Sequence, residues 1–390
     1  MSTRTSLAKR VSNYELFFDL AFVLALRELN GSFHMEHISG QNILLFVMAN
    51  IVLMNIWFNE VLYYQKYGDS RRADIYTVIA LMFVVGHLAM NFNLDTSELG
   101  AGSPVVVQFN SLLFLAYGLI SLQYFIKGRV HGFNRDMKLS MLSLLLYMVP
   151  LVPFMIGIGG WSIWMSVVYI LPVLIPLLSA KLFYSGEEDL PTNFPHAVER
   201  GQLITILSFG ESVIAIIGSY PIGETLINGV FLFTAMAFMF INYMTQTFIA
   251  IDHHSKKLVA PLFYCHLLVV LGINFFTVSV EFLANHHHAE LGQILLLIAV
   301  VLFYLGTYFL TVYNYPYYQF KTKNILHLSI GLLVTLLALW LVGPSPLWLG
   351  LVLSISSYLV SQYVMRFRMK ARQKHGLPQP DTRLNLRDFS

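Results

Sequence analysis

The sequence predicts an all-α, polytopic membrane protein of about 12 transmembrane helices, built as two parallel six-helix repeats. Three observations predict it. Of the 390 residues, 56% are hydrophobic and 12% charged, about half the charged share (~25%) of an ordinary soluble domain. Lys and Arg, apart from Arg27, gather at 4–10, 66–72, 127–138, 181–200, 256–257, 321–323 and from 366 onward. Each stretch between clusters has room for two crossings of ~20 residues, the first stretch borrowing residues 14–27. A polar central loop, YSGEEDLPTNFPHAVER, divides the crossings six and six, so both halves enter the membrane in the same sense.

Taken in order, the first span covers 14–30. It follows a basic, polar N-terminus with no small-residue cleavage site and reads as a retained crossing, not a signal peptide. Spans two to six are expected at 42–64, 74–94, 104–126, 139–157 and 161–183, the last kinked at Pro172 and Pro176. Spans seven to twelve follow at 197–218, 225–250, 259–284, 291–313, 324–343 and 346–366, with the Tyr-rich VYNYPYYQF as an interfacial belt. The intervening loops of the opposite side carry no Lys or Arg, which places both termini and all basic loops in the cytoplasm, and the protein in the cytoplasmic membrane. The halves are expected at 1–188 and 189–370, with 371–390 as a polar cytoplasmic tail.

Composition excludes several functions. The net charge of +3 is spread over loops and forms no patch for nucleic acid. Cys265 is the sole cysteine, which excludes an intrachain disulfide and a cysteine metal site. Neither a phosphate-cradling glycine loop, a serine elbow nor an HExxH motif is present, and no cofactor or metal is expected. His286, His287 and His288 read as a solvated outer loop.

Acids inside apolar spans carry the functional signal, because an acid in hydrocarbon costs roughly 2.5–3.5 kcal/mol even on lenient insertion scales. Glu15 and Asp19 share a face of the first span at i,i+4, with Lys9 and Arg10 one to two turns away. Glu211 lies in the seventh span, with Gly210 beside it for close helix approach and Arg200 eleven residues before it. Asp19, Glu211 and Glu15 are the expected ion-binding acids; the opposing reading makes them helix-packing locks. Asn55 with Asn59, and Asn242 with Gln246, form i,i+4 amide pairs that either line a polar path or join helices. His87 and His266 put one imidazole on each third span and read as satisfied core histidines. His196, Glu199 and Arg200 are expected near the headgroups, as gating or lipid-contacting residues joined in an interfacial ion pair. Aligning Asp19 with Glu211, Asn55/Asn59 with Asn242/Gln246, and Asn91-Phe92 with Asn274-Phe275 gives offsets of 192, 187 and 183, the hint of duplication.

YELFFDLAFVLAL near the N-terminus, HAVERGQLITILSFGESVIAI at the start of the second half, and the NIWFNEVLYY to DSRRAD region resemble the low temperature requirement protein A (LtrA) family over most of the chain. Arg27 and the AIDHH end of the eighth span depart from that pattern. The resemblance implies a bacterial multi-spanning membrane protein linked by name to growth in the cold, and carries over no catalytic residue. A weaker resemblance is to six-plus-six potassium channels with Phe-Ser-Asp in each first helix; Phe18-Asp19 and Phe209-Gly210-Glu211 hold comparable places. The expected function is an ion or small-solute channel or transporter in the lipid bilayer, monomeric or homo-oligomeric. The alternatives are a membrane enzyme acting on lipid or isoprenoid, and a non-transporting sensor or assembly factor.

Overall fold

A computed structural model of the chain describes residues 11–69, 71–183, 193–255, 257–285 and 287–378, without the side chains at 163–164 and 176–183. Lys9, Arg10, His286, most of the central loop, the Pro176 side chain and the tail beyond 378 lie outside the described residues. Among those described, 81% are helical and there are no strands. The helices are α1 Asn13–Gly31, α2 Gly40–Lys66, α3 Arg72–Ala89, α4 Pro104–His131, α5 Arg135–Met148, α6 Ile163–Phe183, α7 Phe194–Ser219, α8 Leu226–Met244, α9 Ala260–Ala284, α10 Ala289–Phe309, α11 Thr322–Leu341 and α12 Pro346–Lys374. Short turns extend α5 to Met155 and α10 to Tyr313, and α8 runs on as a π-helical turn, Thr245–Ala250. Every expected span corresponds to one helix, with ends shifted by up to eight residues, the most at Lys374 of α12.

Ten of these helices are long and apolar enough to cross a bilayer. The other two are α1, which carries Glu15, Asp19, Arg27 and Glu28, and α6, described in full only over Met165–Ile175. At 1.5 Å per residue, the 19 residues of α1 are ~28 Å long, close to the ~30 Å hydrocarbon thickness. Its faces are sorted as a bilayer demands. Leu16, Phe17, Leu20 and Leu24 point outward, while Glu15, Asp19, Phe22 and Leu26 are buried.

The helices form two compact units, Met1–Arg200 and Gly201–Ser390. In the first, α1 packs on α3 and α2, α3 on α4, α4 on α5, α2 on α6, and α5 on α6. In the second, α9 packs along α10, α8 along α12, α10 against α11, and α11 against α12. Glycines set the α9–α10 seam. A Cβ on Gly272 would lie 2.7 Å from the Phe303 nitrogen, and one on Gly306 would lie 2.7 Å from the Cys265 carbonyl. Gly210, expected at such a contact, has open space where its Cβ would be; on α7 the close approach falls at Gly201, against the His266 ring.

Paired charges tie the basic ends of the first unit's helices together. Lys127 bonds Asp69 at 2.7 Å and Asp74 at 3.1 Å, and Lys66 bonds Asp136 at 2.8 Å. This explains why α4 continues past its expected end at 126. The buried Lys127 stem extends the packed face, and the helix stops only at Gly132, whose φ of +83° ends it.

Each unit also holds one amide that joins three helices. In the first, the Asn55 amide donates to the Pro172 carbonyl of α6 (3.2 Å) and its oxygen accepts from Tyr117 of α4 (3.0 Å). Residue 176 is proline and has no N–H for that carbonyl, so Asn55 supplies the missing donor. In the second, the Asn242 amide donates to the Ser357 carbonyl of α12 (2.9 Å) and to the Tyr304 hydroxyl of α10 (3.3 Å). Asn55→Leu and Asn242→Leu should each lower stability by about 1–3 kcal/mol, since each strands buried polar partners. Thermal unfolding of the purified variants checks this; an unchanged midpoint would mean that the amides do not hold their units together.

Candidate functional site

The site is built where α1, α2 and α7 bring charge to one level. Asp19, Glu60 and Arg200 each lie six residues from the basic end of their helix, ~9 Å along it. Local structure prepares the first acid. Ser12 caps α1, and its N–H and hydroxyl donate to Glu15 Oε2 at 2.9 and 2.8 Å while the Glu15 N–H donates to the hydroxyl at 3.3 Å, closing a capping box. The other oxygen, Oε1, is left to face α7. Arg200 Nη1 donates to it at 2.9 Å, and His196 Nε2 lies 2.9 Å from it.

One turn further, Asp19 Oδ1 accepts from Arg200 Nη2 at 2.6 Å and from the Trp57 indole at 2.9 Å. The guanidinium also stands 5.9 Å from the Trp57 ring centroid. Asp19, His196 and Arg200 are all 0% exposed. Glu60, on α2, accepts from Gln123 of α4 at 2.9 Å and is close enough to Arg200 and Glu15 to feel their charges. Six buried polar atoms of this cluster make no hydrogen bond among the described residues: Asp19 Oδ2, Glu60 Oε2, Gln123 Oε1, Arg200 Nε and both ring nitrogens of His196, whose Nε2 approaches Glu15 by proximity alone. Two carboxyl groups therefore bind one guanidinium and a third, Glu60, is buried within range of its charge; Asp19 and Glu60 each keep an unengaged oxygen.

The structure places each expected site residue. Among the described residues, Arg200 and His196 form no ion pair with Glu199. Both are buried against Glu15 and Asp19, because α7 turns that face to α1, while Glu199 is exposed on another face. Glu211 is buried in the second unit, eleven residues along the sequence from Arg200. Asn55 and Asn59 bond each other and the packed helices, with Asn59 donating to Asn55 at 2.8 and 3.0 Å. Asn242 and Gln246 belong to the second unit, where Gln246 accepts from Arg368. Of the imidazoles, His266 is buried between the Leu262 carbonyl and the Tyr243 hydroxyl, and His87 is exposed.

Sequence reading passed over Glu60, Trp57 and Gln123. Glu60 was findable, being an acid six residues inside an apolar span. Trp57 and Gln123 gave no signal, since their roles exist only once α2 meets α1 and α4.

Ten long apolar helices, with ionisable side chains turned inward on α1, α2 and α7, define a multi-pass helical membrane protein. The family model described as bacterial low temperature requirement A protein (LtrA) matches residues 10–360, and the chain belongs to that family. No curated protein matches it.

Proposed function

We propose that the protein is a proton or cation permease, a channel or transporter of the bacterial inner membrane with its basic loops in the cytoplasm. Its charge-handling site is Glu15, Asp19, Glu60, His196 and Arg200. One observation carries this reading. Three carboxyl groups and a single guanidinium are buried together, two carboxylates touching it directly and the third beside it. In a low-dielectric site, surplus negative charge must be neutralised by protons or by a bound cation. The group that takes up and releases that charge is the least engaged one, Glu60, followed by the free oxygen of Asp19. Glu211 provides the second station, in the other half of the chain.

The two halves are proposed as parallel repeats. Asn55 and Asn242 are 187 positions apart, as are Tyr117 and Tyr304, and each amide joins the second, fourth and sixth helix of its unit. The same pairs supply the test of whether a helix is there to move or to hold.

Proteoliposomes carrying an imposed pH gradient or a rubidium gradient test the permease. Wild-type protein is expected to dissipate one of them faster than protein-free vesicles, and Asp19→Asn, Glu60→Gln and Glu211→Gln are each expected to slow it about tenfold or more, the effect of ~1.4 kcal/mol on a barrier. Wild-type vesicles as tight as empty ones, or variants all as fast as wild type, would sink the proposal. A second reading, a non-transporting membrane sensor or assembly factor, is favoured by the complete burial of Asp19 and Arg200. Under it the same substitutions lower stability and no flux exists to change.

A further inference from the structure

We propose that the second unit binds a phosphate oxygen at its basic end, through the buried guanidinium of Arg368. The site is separate from the acid cluster and does not rest on its reading. Arg368 is 7% exposed and borders a cavity of about 20 Å³ lined by Asn242, Gln246, Thr307, Tyr308 and Phe320. Its Nη1 donates to the Thr245 carbonyl and its Nη2 to Gln246 Oε1, both at 2.8 Å. Both acceptors are neutral. An arginine has five N–H donors, so three remain.

Buried cations in the first unit have carboxylates: Lys127 has Asp69 and Asp74, Lys66 has Asp136, and Arg200 has Glu15 and Asp19. Among the described residues Arg368 has none, and Asp252, in the α8–α9 turn at the same end, makes no ion pair with it. The neighbouring sequence is short of acids. From 291 to 380 there is no Asp or Glu, while Lys321, Lys323, Arg366, Arg368, Lys370, Arg372 and Lys374 all occur. A desolvated charge without a counter-ion is strongly disfavoured; no carboxylate among the described residues supplies one, and an external anion can.

Phosphate fits on three grounds. The planar fork of Arg matches phosphate oxygens. Arg368 lies six residues, ~9 Å, from the end of α12, within reach of lipid headgroups. The cavity has room for about one water-sized atom, so one oxygen enters and the rest of the group stays at the mouth. The receiving shape is preset. The Gln246 amide nitrogen donates to Asn314 at 2.6 Å, which turns its oxygen toward Arg368. The π-helical turn of α8 brings both the Thr245 carbonyl and Gln246 to the guanidinium.

The phosphate can come from a phospholipid or from free inorganic phosphate, and the experiment separates them. Full-length protein in dodecyl maltoside is titrated with phosphatidylglycerol, with a phosphate-free diglucosyl lipid of equal chain length, and with inorganic phosphate. Native mass spectrometry and thermal unfolding are the readouts. Phosphatidylglycerol is expected to be retained and to raise the unfolding temperature. Arg368→Gln should weaken it about tenfold, and so should Val364→Phe, which fills the cavity and leaves the guanidinium in place. An Arg368-dependent shift with inorganic phosphate alone upholds the site and identifies free phosphate as its ligand. Wild-type protein that retains neither probe, that responds equally to the phosphate-free lipid, or that binds no better than Val364→Phe overturns the proposal.

Discussion

Arg200→Met is expected to be the most damaging single substitution in the first unit, lowering stability by about 3–5 kcal/mol, the usual effect of removing one partner from a buried ion pair. The reason is the charge left behind. Glu15 and Asp19 both give their inner oxygen to this guanidinium, at 2.9 and 2.6 Å, and neither is exposed to solvent. The damage should be reversible by chemistry. Adding Asp19→Asn and Glu15→Gln to Arg200→Met removes the orphaned charges, and most of the lost stability should return, because a neutral cluster of similar volume avoids the desolvation penalty. Thermal unfolding of the three proteins in one detergent measures both steps. A triple variant no more stable than Arg200→Met would show that Arg200 acts through packing on Trp57, 5.9 Å away, and not through the acids.

The second large effect is expected at the α9–α10 seam. Gly272→Leu and Gly306→Leu each force a side chain into space held by backbone atoms: the Phe303 nitrogen and Ala299 carbonyl in one case, the Cys265 carbonyl and Val269 nitrogen in the other. Backbone cannot turn aside as a rotamer does, so the helices must separate. Overpacking of this kind costs about 1–3 kcal/mol per site, and the two sites share one seam, so their effects will not simply add. Gly210→Leu on α7 is the control, since open space lies where its side chain would go. Unfolding temperatures that fall equally for all three would argue against a glycine-set contact.

The helices were legible because hydropathy and charge act along the chain. A lysine or arginine ends a crossing wherever it stands, so gaps between basic residues mark spans with no knowledge of packing. Where the ends moved, tertiary contact was responsible. Charge alone puts Lys127 on the far side of a boundary, yet Asp69 and Asp74 draw it into the bundle and carry α4 to His131.

The acids of the site were legible for the same local reason, and their partner was not. Nothing in the spacing of Glu15 and Asp19 indicates a guanidinium 185 and 181 positions away. Gly201 and Gly210 make the same point. They lie on one helix, either could admit a neighbour, and only the packed structure tells which one does.

The Ser12–Glu15 box at the start of α1 has a consequence of its own. One oxygen of Glu15 closes the first helical turn and the other holds Arg200, so the start of α1 and the buried cluster share one carboxylate. Loss of the Ser12 cap would therefore loosen the grip of α1 on Arg200 through one shared side chain.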